Sequence, residues 1–192
     1  MDTRAVVVLI IVIAAIAIAA AVIIARRRRS QHLRSHFGPE YDRTVQMHGN
    51  NPAKAEAVLL EREERVKKFS LRPLPPADRE RYADEWAAVQ RRFVDDPSTA
   101  VTQADRLVTT VMAARGYPMT DAEQRAADLS VTYPNLVDNY RAARELTQRH
   151  AAGQSSTEDL RQAMVYFRSL FDELLEVPKP ERVGATHERL AS

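Results

Sequence analysis

The 192-residue chain contains no cysteine, only five glycines and a single tryptophan. Without cysteine it cannot form disulfides, hold iron–sulfur clusters, bind zinc through thiolates or use a cysteine nucleophile. The glycines are scattered singly, whereas a phosphate-binding loop needs clustered glycines so that backbone N–H groups can approach the anion. The glycine pattern therefore disfavours a P-loop or a Rossmann turn, and no cofactor is predicted.

Catalytic and metal-binding patterns are also missing from the sequence. None of the five histidines forms a Glu-x-x-His pair, with which helical bundles hold two metals. His32 and His36 lie four residues apart, but the arginines beside them disfavour a bound cation. Ser155 and Ser156 lie in a helix-start signal, where no catalytic base can be assigned to them. The sequence thus predicts no catalytic residue, no metal site and no enzyme.

One long apolar run lies near the N-terminus, where residues 5–25 contain no charged or strongly polar side chain. As a helix, these 21 residues would extend over about 31 Å, the thickness of a bilayer's hydrocarbon core. A buried helix of a soluble protein rarely lacks polar residues for so long. A cleaved signal peptide would carry its basic residues before a shorter apolar stretch, although the alanine-rich sequence keeps a cleavage site open as an alternative. We expect a transmembrane helix at 5–25.

Basic residues follow this run almost immediately, at Arg26, Arg27, Arg28, Arg29 and Arg34. Before the run stand only Arg4 and the amino terminus, offset by Asp2, and no acidic residue then occurs before Glu40. Because positive residues stay on the cytoplasmic side, we expect the N-terminus outside and the rest of the chain in the cytoplasm. The arginine- and alanine-rich composition suggests a bacterial source, so the expected location is a bacterial cell membrane, with one span.

Charge is distributed unevenly along the chain. Residues 1–36 contain six basic residues and one acidic residue, whereas residues 37–192 contain 22 basic and 25 acidic residues, a net charge of −3. The body of the chain therefore has no basic excess with which to hold a phosphate backbone. The four successive arginines could form a nucleic-acid patch, but their place beside the apolar run favours anionic lipid headgroups. The expected partners are the bilayer, its headgroups and a protein partner.

The body of the chain has helical periodicity almost throughout, and no run of alternating β-branched residues indicates a strand. We expect an all-α fold, with a transmembrane helix followed by a bundle of about five helices. Helix starts are predicted at Asn51-Pro52 and Asp96-Pro97, and a capping box is predicted at Thr120 and Glu123. The expected segments are an extracytoplasmic N-terminus (1–4), the transmembrane helix (5–25), a basic juxtamembrane segment (26–36), a helical stalk with a proline-rich linker (37–76), the bundle (77–177) and a disordered tail (178–192).

Apolar residues spaced three or four apart predict the core of the bundle. The expected inward-facing residues are Tyr82, Trp86, Val89 and Phe93; Val101, Ala104, Leu107, Val108 and Val111; Leu136, Tyr140, Ala143 and Leu146; and Leu160, Ala163, Met164, Phe167, Leu170, Phe171, Leu174 and Leu175. The last group covers the broadest apolar face. Any apolar surface of this helix that the bundle does not cover could form a docking groove.

Two short stretches could carry a site. "FVDDP" places Asp95 and Asp96 together, and a carboxylate pair can bind a divalent ion or transfer protons. "ARGYP" contains Arg115, which could bind an anion, and Tyr117, which could line a pocket. The structural alternatives are an Asp-Pro helix start and a glycine C-cap followed by a proline. A helix of some 19 residues would also separate the two stretches by about 28 Å.

Four stretches of the chain resemble a family of uncharacterised bacterial proteins with one N-terminal span. They are "LRSHFGPEYDRTV", "FVDDP", the segment from Ala104 to Pro118, and "EDLRQAMV" with the residues up to Leu175. The resemblance covers roughly residues 33 to 176 and implies a common helical fold without a known activity. We therefore expect a single-pass membrane protein whose cytoplasmic helical domain acts as a protein-interaction or scaffolding module. The alternatives are a small-ligand or enzymatic site at one of the two candidate stretches, and lipid or nucleic-acid contact through the arginines.

Overall fold

The computed structural model describes residues 3–176, with side chains from residue 12 onward, so the expected disordered tail lies outside the described residues. The described part contains eight α-helices and no strand, which confirms the all-α prediction. The helices are α1 (Thr3–Phe37), α2 (Pro39–Met47), α3 (Pro52–Val66), α4 (Pro76–Asp95), α5 (Pro97–Ala114), α6 (Ala122–Thr132), α7 (Val137–Ala151) and α8 (Thr157–Leu175).

Side-chain caps explain where several helices begin. The Asn51 side chain accepts a hydrogen bond from the Lys54 backbone N–H, and Pro52 supplies the first helical residue of α3. Helix α8 begins with a reciprocal capping box between Ser156 and Asp159. Each cap satisfies backbone donors that the first turn of a helix leaves without partners.

The capping box predicted at Thr120 and Glu123 is wrong. Helix α6 begins at Ala122, and the Asp121 carboxylate accepts the Gln124 backbone N–H at 2.8 Å. An aspartate one residue further along the chain thus replaces the threonine as the cap. Both residue types are good caps, so the local pattern alone does not distinguish them.

The chain divides into two compact units. Unit 1 comprises Met1–Lys68 with Ala126–Asp138, and unit 2 comprises Phe69–Arg125 with Asn139–Ser192. The polypeptide therefore leaves unit 1 after α3 and returns to it through most of α6. The bundle predicted at 77–177 includes residues 126–138, which the structure assigns to unit 1. Periodicity identifies the apolar face of a helix but not the helix that covers it.

In unit 1, helices α1, α2 and α3 pack around a small apolar core. Leu33, Phe37, Tyr41 and Leu59 are essentially inaccessible to solvent, and they are surrounded by partly buried Val45, Leu60 and Val131. This packing differs from the stalk expected for 37–76, since the narrow apolar stripe of α3 is buried against α1 and α2.

In unit 2, helix α5 packs against both α4 and α8. The rings of Trp86 and Phe171 stack with centroids 4.6 Å apart, an arrangement that adds about 0.5–1.5 kcal/mol to the burial of their area. Most of the predicted inward-facing residues are buried, and the α5 stripe is buried throughout. The exceptions, which are only partly buried, are Phe93, Leu136, Leu146 and Leu175.

Gly116 lies where two backbone segments of unit 2 approach closely. Its φ of +96° is the left-handed conformation predicted for the end of α5, and a Cβ at this position would lie 2.5 Å from the Ser70 carbonyl oxygen. The adjacent Arg115 carbonyl accepts the Arg72 backbone N–H at 3.0 Å. The proline-rich segment before α4 is thereby fastened to the end of α5, and only glycine fits at the crossing.

Candidate functional site

The described apolar part of α1 is exposed on every side. All residues from Val12 to Ala25 are exposed. The exposed fraction of the larger side chains reaches 63% at Ile16 and 65% at Ile18. A soluble monomer rarely leaves so much contiguous apolar surface uncovered. Within the described residues, no helix combines the length and the apolar character needed to cross a membrane.

Four exposed arginines, Arg26–Arg29, form a collar at the end of this apolar surface. Successive residues of an α-helix are rotated by about 100°, so four in a row point to all sides of α1. Between Asp2 and Glu40 the sequence contains no acidic residue that could neutralise them. The collar therefore presents positive charge around the whole circumference of the helix.

The fifth arginine of the predicted basic segment has a different environment. The Arg34 guanidinium lies 5.0 Å from the centroid of the Tyr41 ring, a cation–π distance. The Tyr41 hydroxyl donates to the Glu56 carboxylate at 2.9 Å. Arg34 is thus a packing residue of unit 1 as well as a positive charge, and it differs in this from the four arginines of the collar.

A buried ionic cluster joins α2, α3 and α6 within unit 1. Arg62 Nη1 lies 2.6 Å from a carboxylate oxygen of Glu40, which is fully buried, and also donates to Ser130 Oγ at 3.3 Å. One turn along α3, Arg65 contacts the buried Asp128 at 2.7 Å. Because each buried charge has an opposite charge beside it, the cluster fixes which helix faces meet.

Asp95 and Asp96 lie at the junction of α4 and α5, where the two carboxylates have different environments. Asp95 is exposed, whereas the Asp96 side chain accepts the Thr99 backbone N–H at 3.0 Å and caps α5. Hydrogen bonds from the side chain and backbone of Thr99, helped by the charge of Arg92, hold the pKa of Asp96 below its ordinary value. The geometry is that of a helix cap.

Arg115 and Tyr117 lie at the opposite end of α5, and Arg115 is about 28 Å from Asp96 along the helix. Arg115 is buried, and its Nη1 donates to the Leu174 carbonyl at 2.7 Å, at the C-terminal end of α8. Tyr117 is buried with its ring against the edge of Phe69. The two stretches therefore remain separate, and Arg115 serves as the cap of a neighbouring helix.

A hydrogen-bonded chain at His150 was not anticipated from the sequence. Its Nε2 lies 2.7 Å from Ser98 Oγ, near the start of α5, and its Nδ1 lies 2.9 Å from Ser155 Oγ. Ser98 is 52 residues away from His150 in the sequence, so no local pattern indicates this bond. No carboxylate takes part in these two bonds, so they connect helix ends without the third member of a catalytic triad.

Over the part of the chain that the structure describes, no group of three or more His, Asp or Glu side chains could hold a metal ion. No protein-family model, curated protein or solved structure matched the chain when each was searched. The features that remain to indicate a function are the exposed apolar surface of α1, its arginine collar and the internal packing of each unit.

Proposed function

We propose that the protein is a single-pass membrane protein, anchored by residues 5–25. The observation that carries this proposal is the apolar surface of α1, which is exposed on every side and ends in the arginine collar. In the sequence the apolar run begins at Ala5, and its 21 residues correspond to about 31 Å of helix. Lipid is the solvent in which a helix without a polar face is stable.

The charge distribution supports one orientation of this anchor. Arg26–Arg29 follow the apolar run, whereas only Arg4 precedes it. The collar therefore stays on the cytoplasmic side of a bacterial membrane, and the helices from α2 onward lie in the cytoplasm. At that surface the collar also attracts anionic lipid phosphates, each arginine contributing about 1 kcal/mol.

For the cytoplasmic part we propose a protein-interaction or scaffolding role. Its helices are held by caps and buried ion pairs, and the two stretches suggested as ligand sites are occupied by structural contacts. The enzymatic alternative thereby loses the residues on which it depended. A scaffold needs a stable helical body, and the caps and buried ion pairs of the described helices support this role.

Reporter fusions at the C-terminus test the anchor and its orientation. We expect a fluorescent protein fused there to be bright and alkaline phosphatase to be inactive, and the chain should stay in membranes after carbonate extraction. Active phosphatase would contradict the orientation. Release of the chain by carbonate, or a mature N-terminus located after Arg29, would contradict the anchor itself.

A further inference from the structure

Helix α1 continues without interruption from the apolar segment into the core of unit 1. Between Thr3 and Phe37 the sequence contains neither glycine nor proline, the two residues that most readily interrupt a helix. Leu33 and Phe37, in its last two turns, are fully buried in unit 1. The single helix α1 therefore contains both the exposed apolar segment and residues of the folded core.

The two parts of α1 are separated by a short distance. Ala25 ends the apolar run, and Ser30 Oγ, five residues further, lies 3.5 Å from the Tyr41 hydroxyl of α2. Five residues correspond to roughly 7.5 Å of helix. The headgroup layer on each side of a bilayer is about 5–8 Å deep, the difference between its total and hydrocarbon thickness. Contacts of unit 1 thus begin where the headgroup layer ends.

Tyr41 prevents α1 from rotating relative to the rest of unit 1. Its ring lies under the Arg34 guanidinium of α1, and its hydroxyl donates to Glu56 of α3. The ring itself is buried in the apolar core with Leu33. Rotation of α1 relative to α2 would break the contacts of Tyr41 with Arg34 and with Leu33 together.

We infer that α1 is a rigid post, meaning one uninterrupted helix that holds the rest of unit 1 directly on an anionic headgroup layer. The height of unit 1 above the lipid is then fixed, because no flexible tether joins the two. This inference rests on the proposed anchoring and adds how the body is held at the surface. Lipid phosphate is the occupant of the space around the collar, because four exposed arginines without a neighbouring acidic residue complement its charge.

A single spin label or fluorophore on unit 1 can measure this height. The chain has no cysteine, so Met47→Cys, at an exposed position of α2, labels one site. The full chain is reconstituted into vesicles containing phosphatidylglycerol, and distances to headgroup-labelled lipid are recorded. Two insertions of equal length between Arg29 and Ser30 are compared, one of four alanines and one of Gly-Ser-Gly-Ser.

We expect a narrow distance distribution for the parent chain. The alanine insertion should keep it narrow and move it outward by about 6 Å, whereas the Gly-Ser insertion should broaden it. Circular dichroism should show unchanged helicity in each variant, and the alanine insertion alone decides the point if the Gly-Ser chain does not fold. A parent distribution as broad as that of the Gly-Ser variant, or no outward shift with alanine, would overturn the rigid post.

Two further readouts separate this inference from the anchoring itself. Failure of the labelled chain to co-float with vesicles refutes the proposed anchor, whatever the distances. In vesicles of neutral phosphatidylcholine alone, the distribution should broaden or move outward, because the collar loses its anionic partner. Because phosphatidylcholine also carries a phosphate but no net charge, identical distributions in the two lipids would overturn the role of net-negative lipid at the collar.

Discussion

At the scale of single residues, the structure distinguishes positions that look alike in the sequence. Gly116 and Gly153 each follow a helix and have φ values of +96° and +70°. A Cβ at Gly116 would meet the Ser70 carbonyl, whereas at Gly153 it would meet nothing within 4 Å. Both positions need the left-handed conformation, but only one also needs the missing side chain.

We therefore predict that Gly116→Ala destabilises the protein more than Gly153→Ala does. The second change should reduce the free energy of unfolding by about 1–2 kcal/mol, the usual penalty of a left-handed alanine. The first change adds a collision with backbone and should exceed that range. Urea unfolding of the full chain in detergent, followed by circular dichroism, measures both, and equal losses would contradict the close approach at Ser70.

Asp96 gives a prediction about acid stability. Its pKa is lowered in the folded state by the hydrogen bonds from Thr99, so the cap contributes fully above the ordinary aspartate value of 3.8. The contribution is lost as the pH falls through the lower folded-state pKa. We expect Asp96→Ala to lower the melting temperature at neutral pH but much less in strong acid.

The matched control for this cap is Asp96→Asn, because asparagine caps helices without carrying a charge. It should retain most of the melting temperature at neutral pH and lose the dependence on acid. If Asp96→Ala and Asp96→Asn were equally damaging at neutral pH, the carboxylate would have a role other than capping.

At the scale of elements, contacts between distant side chains determine which helices meet. Glu40 and Arg62 are 22 residues apart, and Ser130 lies a further 68 residues along the chain from Arg62. Likewise, Arg115 joins the end of α5 to the end of α8. Neither connection follows from a periodic pattern, because polar residues in a helical sequence are ordinarily assigned to its solvated face.

A double-mutant cycle tests the buried ion pair of unit 1. We expect Glu40→Leu alone to reduce the free energy of unfolding by about 3–5 kcal/mol, because it leaves Arg62 buried without its opposite charge. Adding Arg62→Met should restore most of the loss, since two apolar side chains then pack together. Additive losses in denaturant unfolding would show that the two residues do not act as a pair.

The contact between Arg115 and α8 can be tested in the same way. Arg115→Met removes a charged hydrogen bond to the Leu174 carbonyl, and we expect a loss of about 1.5–3 kcal/mol in unfolding free energy. Arg115→Lys keeps the charge and one donor, so it should lose less. A change in the binding of an anionic ligand without a loss of stability would instead revive the ligand-site interpretation.

The sequence predicts where helices occur and which of their faces are apolar. It does not predict which helices pack against each other. The pairs Asn51-Pro52 and Asp96-Pro97 marked helix starts correctly, since capping is a local interaction. The capping box at Thr120 failed because two neighbouring residues are both good caps and the local pattern does not choose between them. The burial of the α3 stripe against α1 and α2 likewise depends on tertiary structure. For the candidate site, the collar was visible as a local run, but the structural role of Arg115 was hidden in a contact 59 residues away.

At the scale of the whole molecule, charge and hydropathy are divided along the chain. Six basic residues and one acidic residue lie in residues 1–36, and the remainder has a net charge of −3. In the proposed membrane protein this asymmetry selects the orientation, since the basic end of a span resists translocation. The body of the chain contributes little to that choice.

We predict that replacing all four collar arginines by glutamine yields a mixed population of orientations. Protease added outside spheroplasts should then digest the C-terminal part of a fraction of the molecules, whereas it should spare the parent chain. The control is Arg91→Gln with Arg92→Gln, an exposed basic pair on α4 far from the span in sequence. Equal protection of the parent and the collar variant would show that something other than the collar sets the orientation.

In the proposed membrane protein, the unbroken course of α1 would also make the molecule responsive to bilayer thickness. A span that is longer than the local hydrocarbon layer accommodates the mismatch by tilting. The helix of 35 residues is about 53 Å long, so a tilt of its apolar half inclines the other half equally. Any surface that unit 1 presents would then lean with it, and a thinner or thicker membrane would change what that surface can reach.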